Sequence, residues 1–138
     1  MDPTLELQGA IVQRLRSFAP LTALIGNRVY DEVPTDDSGA VSAARFPYVS
    51  IGPTASISDD ADCVFADDIT FQIDAWSIDV GMPEVRNIAY AVRQAFRGFE
   101  IVLTQNALVS FEHERTQYIR DGNVKHAAIR FTALTESP

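Results

Sequence analysis

One cysteine, Cys63, stands in the 138 residues, so the chain cannot close a disulfide within itself or build a thiolate zinc cage alone. Histidine is scarce as well, with only His113 and His126. Cations are few: 11 Lys and Arg against 19 Asp and Glu leave a net charge of −8. Gripping nucleic acid depends on clustered cations that displace counterions from phosphates, so the expected partners are proteins, and DNA at most passes by without specific binding. The longest unbroken apolar stretch is a few residues, against the roughly 20 that cross a bilayer, and no membrane partner is expected. Met1-Asp2-Pro3-Thr4-Leu5-Glu6 lacks the basic-then-apolar order of a signal peptide, and the chain is expected to be made in the cytosol.

Motifs that carry chemistry are missing too. There is no phosphate-cradling glycine loop and no Gly-x-Ser-x-Gly elbow, and the scattered glycines suit turns and helix ends. The densest carboxylate group is Asp59, Asp60 and Asp62 with Asp67 and Asp68. Without the glycine and closing glutamate of a calcium loop, a solvated acidic loop is the simpler reading, and a metal-dependent hydrolase built on these aspartates is the rival from another class. If Gly122-Asn123 forms a tight turn, His126 falls opposite Ile119 and His113 opposite Thr132. That puts the histidines roughly 20 Å apart at strand rise, too far to share a ligand, and both are expected to be exposed. Trp76, grouped with Tyr48 and Tyr90, suits core or interface better than base stacking, because no basic groove accompanies it. No catalytic residue, cofactor or metal ligand is assigned.

What is present is periodicity. Leu7, Ala10, Ile11, Leu15 and Phe18 recur at steps of three and four and predict an amphipathic helix over 4–18. Pro20 interrupts it, a short helical turn at 21–25 closes on Gly26-Asn27, and a strand over 28–33 follows. Residues 34–45 read as a surface loop. Tyr48 to Gly52 predicts a strand that either ends at Pro53 or lies on an edge, with a second loop over 54–64. Residues 66–78 alternate Ile69, Phe71, Ile73 and Ala75 against Thr70, Gln72, Asp74 and Trp76. Pro83 opens a helix whose stripe is Val85, Ile88, Ala89, Val92, Ala95 and Phe96, with Gly98 past its end.

Strands near 107–120 and 124–135, joined at Asp121-Gly122-Asn123, predict a hairpin that is polar on both faces near its turn. Together these elements imply one α+β domain over residues 1–138. It comprises an antiparallel sheet of about four to five strands, with two helices packed on one face and a projecting C-terminal β-hairpin. Edge strands and projecting ribbons serve assembly, and the candidate interface residues are Asp59, Asp60, Asp62, Gln117, Arg120, Lys125 and His126.

An ordered set of segments resembles phage tail-completion, or tail-terminator, proteins over nearly the whole chain. The set starts with the run Leu21-Thr22-Ala23-Leu24-Ile25-Gly26-Asn27-Arg28-Val29-Tyr30-Asp31-Glu32-Val33-Pro34 and then Phe46-Pro47-Tyr48-Val49-Ser50-Ile51-Gly52. The strand end Asp74-Ala75-Trp76-Ser77, the helix Val85 to Phe99 and the closing hairpin from Arg120-Asp121-Gly122 to Glu136 come next. The resemblance implies a non-enzymatic structural protein of long-tailed phages, prophages and gene transfer agents. It implies a homo-oligomer, a hexameric ring on the end of a tail tube, that stops tube growth and meets the head-tail connector or stopper protein. Its place would be the virion tail at the tail-head junction, after assembly in the bacterial cytoplasm. Tube and stopper roles are the alternatives within the same class.

Overall fold

The protein is described from a computed structural model covering residues 1–138. The three-and-four spacing becomes α1, Pro3–Ser17, with Leu7, Ile11 and Leu15 fully buried. Asp2 caps it by accepting the backbone N–H of Thr4 at 2.7 Å and of Leu5 at 3.3 Å. Phe18 turns extended, and α2, Ala19–Ile25, begins at once with Pro20 in its first turn, where a missing amide costs nothing. Gly26 ends α2 at a φ of 61°.

Strand β1 is only Val29–Tyr30, shorter than the expected 28–33: the Arg28 amide is still spent on the Ile25 carbonyl, and the ladder with β2 stops at Tyr30–Ser50. A 3-10 turn, Ala43–Arg45, interrupts the loop before β2, Tyr48–Ser58. Of the two expectations at Pro53, the strand does not end there but is an edge there, since β1 pairs with β2 only at Val49 and Ser50. Gly52 and Pro53 together face Gln72 in a bulge, with Ile51 paired to Ile73 and Thr54 to Phe71, so the residue without an amide falls where the ladder is already broken. The loop expected over 54–64 shrinks to residues 59–64, and β3, Phe65–Ser77, leads to α3, Pro83–Ala95.

Strands β4, Ala107–Asp121, and β5, Val124–Ser137, form the closing hairpin. The sheet order is β1-β2-β3-β5-β4, and it is mixed because β1 runs parallel to β2 while every other pair is antiparallel. Strand β5 pairs with β3 from Ser137–Phe65 to Lys125–Ser77, so only the hairpin turn beyond Lys125 stands free of it.

All three helices cover one face. Ile69, Phe71, Ile73 and Ala75 from β3 and Ala127, Ile129, Phe131 and Ala133 from β5 meet the helix stripes in a single core cluster of 23 residues. Phe111 and Phe131 stack at 4.8 Å, with Phe96 edge-on to Phe131 at 5.4 Å. Burying each large side chain such as Phe71 contributes roughly 2 to 3 kcal/mol. The opposite sheet face carries no helix.

Candidate assembly interface

The interface residues expected from sequence fall into two groups at opposite ends of the sheet. Asp59, Asp60 and Asp62 sit in the loop before Phe65, whereas Lys125 pairs with Ser77 at the far end of β3. Twelve residues of strand separate these ends, roughly 40 Å at strand rise. At the first end the turn is tight: Ala61 and Val64 bridge each other and Cys63 adopts a φ of 64°. Asp60 accepts the Ala66 amide at 3.0 Å and Asp67 accepts the Ser56 hydroxyl at 3.0 Å. No three of the acidic, histidine or cysteine side chains converge on one point. Ile57, 69 % exposed, and Phe65, 61 % exposed, flank these aspartates.

At the second end Gln117 and Arg120 are exposed, and Arg120 lies directly across from Lys125, whose ammonium donates to the Asn123 carbonyl at 3.1 Å. Like charges placed opposite each other repel, a cost that an outside partner can relieve. His126 departs from the exposed position expected of it. Its ring stacks on Trp76 at 3.9 Å and its Nε2 meets Asp74 Oδ1 at 2.6 Å.

Sequence reasoning missed this cluster. Asp74, only 5 % exposed, lies on the helix-free face with Gln72 Nε2 donating to the same Oδ1 at 2.8 Å. Trp76 Nε1 donates to Ser50 Oγ at 3.0 Å. Gly52 is required here, since a side-chain carbon at that position would collide with Asp74 Oδ2. Burial, then the charge of Asp74, then Tyr30 push the Tyr48 hydroxyl above its ordinary pKa, which keeps it neutral. Tyr90 takes no part: it is exposed on α3, across the sheet. Serine, histidine and aspartate share this face, yet hydrogen bonds join His126 to Asp74 and Ser50 to Trp76, with none from Ser50 to His126. These hydrogen bonds tie β3 to β2 on one side and to β5 on the other. The alternation of β3 places Asp74 and Trp76 on one face, but only the β3–β5 register brings His126 onto them.

His113 faces Phe131 and not Thr132, because the bulge between His113 and Arg115 shifts the register by one residue. It is half-buried and its Nε2 contacts Thr116 Oγ1 at 2.8 Å. Burial, followed by the charges of Arg93 and Arg97, lowers its pKa. These groups line a groove of about 380 Å³ between α3 and β4, floored by Phe96, Phe111 and Phe131.

Against known families, the profile described as "Tail completion protein gp17" matches residues 9–136. The chain belongs to this tail-completion family. Among solved structures it is similar to a chain in the "Virion of native gene transfer agent (GTA) particle", with 28 % identity, a TM-score of 0.82 and 95 % of both chains covered. It also shares its fold with the bacteriophage SPP1 gp17 protein, at 24 % identity and a TM-score of 0.60, covering 94 % of this chain and 88 % of that one. The comparison with curated proteins returned no match. As a tail-completion family member the protein is a structural component of the virion tail.

Proposed function

We propose that this tail-completion protein assembles as a hexameric ring on the end of a tail tube, halts tube growth there and offers its outer surface to the head connector or stopper protein. The carrying observation is the family match over 9–136, together with the likeness to a gene transfer agent virion chain over 95 % of both lengths. The geometry supports it in two ways. Strands β1 and β4 are open edges, and the two charged sheet ends lie on opposite sides of the subunit, as a part with neighbours on several sides requires. The subunits would be assembled in the bacterial cytoplasm, and the whole of residues 1–138 would act as one domain.

The net charge of −8 supports an acidic lumen through which DNA slides without sticking. A ring structure with a strongly basic channel would dismiss that part of the proposal. The test of the whole is mass by light scattering across concentrations, then negative-stain imaging with tail tubes. A closed ring, or a monomer that caps tube ends as a ring, is expected. Long cylinders of this chain alone would reassign it as a tube protein, and a monomer that ignores tubes would end the proposal.

A further inference from the structure

The charges of this chain are segregated along it. No Lys or Arg occurs between Arg45 and Arg86, a span that holds every aspartate of the β2–β3 end. In three dimensions those carboxylates find no cation either, since the one contact at ion-pair distance in the chain is His126 with Asp74. Apolar groups share the tip with them, and on both sides of it. Ile57 pairs with Asp68, one strand position away from the face that Phe65 occupies with Asp67 and Ile69, so the two exposed hydrophobics point to opposite faces of the ribbon. A ribbon apolar on both faces and acidic at its end is suited to insertion into a cleft, and less to lying on a flat surface.

The chain also carries a cleft of complementary character. The groove between α3 and β4 has an aromatic floor of Phe96, Phe111 and Phe131 and is rimmed by Arg93 and Arg97. Neither arginine has a carboxylate at ion-pair distance, and the single acid in the lining is Glu112. That the neighbouring guanidinium groups depress the His113 pKa, after burial, is a second sign that the groove is electropositive. Phe65 is not already seated there in its own chain, since it is solvent-exposed.

We propose that the β2–β3 tip of one copy, led by Phe65 and Ile57 and carrying Asp59, Asp60 and Asp62, inserts into the Arg93–Arg97 groove of the next copy. Tip and groove are different surfaces of one chain, so the contact is head-to-tail and propagates from copy to copy, closing into a ring when the rotation per step allows. An isologous tip-to-tip contact would set like charges together and stop at a dimer. This inference rests on the ring reading above and supplies the contact that such a ring needs.

Cys63, the sole cysteine and exposed in the tip loop, makes the test direct. In rings of an Arg97→Cys variant, mild oxidation should link Cys63 of one copy to position 97 of the next and yield a ladder of covalent oligomers. Wild-type rings, with Cys63 alone, should yield none. In parallel, Arg93→Glu with Arg97→Glu should raise the concentration for half-assembly by about tenfold or more, as like-charge juxtaposition at an interface does. Asp59→Lys, Asp60→Lys and Asp62→Lys together should do the same alone and restore assembly when combined with the arginine reversals, a rescue that misfolded protein would not give. Wild-type rings accompanied by no ladder and by unaffected reversed variants would overturn the contact while leaving the ring intact. Covalent dimers from oxidised wild type would replace it with tip-to-tip pairing. Failure of the wild type to form rings on any tube would overturn the ring reading and this contact with it.

Discussion

Gly52 illustrates how one residue is chosen by its surroundings. Its neighbour Asp74 is buried on a sheet face with no helix above it, and the space a β-carbon would need is filled by the carboxylate. Gly52→Ala should therefore push Asp74 off Gln72 and His126 and cost about 1 to 3 kcal/mol, in the range of overpacked sites. Gly9 provides the contrast, because it lies inside α1 with open space around its would-be side chain. Gly9→Ala should stabilise by about 0.5 to 1 kcal/mol through the lower backbone entropy of alanine in the unfolded chain and its better helix propensity. Urea unfolding of the two variants beside wild type measures both. Equal effects would mean that the Asp74 cluster does not constrain position 52.

Among the elements, α1 is held at its start by a contact between residues 98 to 100 positions apart in the sequence. The Glu6 carboxylate accepts the backbone N–H groups of Thr104 at 2.9 Å, Gln105 at 2.8 Å and Asn106 at 2.9 Å, and thereby fixes the segment that leads into β4. Desolvation by itself would raise its pKa, but the hydrogen bonds from Gln105, Asn106 and Thr104 outweigh it and bring the pKa from 4.5 down to about 2. A carboxylate with a depressed folded pKa lends stability above its unfolded pKa and loses it as pH falls through the folded one. Wild type should therefore lose stability between pH 4.5 and about 2 more steeply than Glu6→Gln does. Parallel slopes of the urea midpoint against pH over that window would show that Glu6 does not secure the contact. At the other end of α1, Arg14 Nε donates to the Ala95 carbonyl at 2.7 Å and answers one of the orphan acceptors at the end of α3.

For the assembled molecule, the contact proposed between subunits joins opposite charges at the rim of an aromatic floor. Raising salt from about 0.1 M to about 1 M shortens the screening length from about 10 Å to about 3 Å. Rings should loosen over that range, which sedimentation velocity reports as a slower boundary, and Arg93→Glu with Arg97→Glu, which sets like charges together, should show the opposite salt response. Rings that tighten with salt would point to a contact dominated by apolar burial, which salting-out strengthens.

Helices α1 and α3, strand β3 and the closing hairpin were legible in the sequence because each carries a repeat that one buried face imposes, 3.6 residues for Leu7, Ile11 and Leu15 and 2 for Ile69, Phe71 and Ile73. The turn at Gly122 and the helix start at Pro83 were legible for a related reason, since backbone geometry alone restricts them. The tail-completion resemblance was likewise carried by the order of such segments along the chain. Pairing was not legible. That β2 runs on past Pro53, that a bulge sets His113 against Phe131, and that His126 lies on Trp76 over Asp74 all depend on which residue of one strand faces which residue of another. The Arg93–Arg97 groove and the isolation of the acidic tip from every cation arise in the same way, from elements far apart in sequence. Local chemistry dictates the period of an element and the residues that end it, whereas register and charge neighbourhood come into being only when the strands meet.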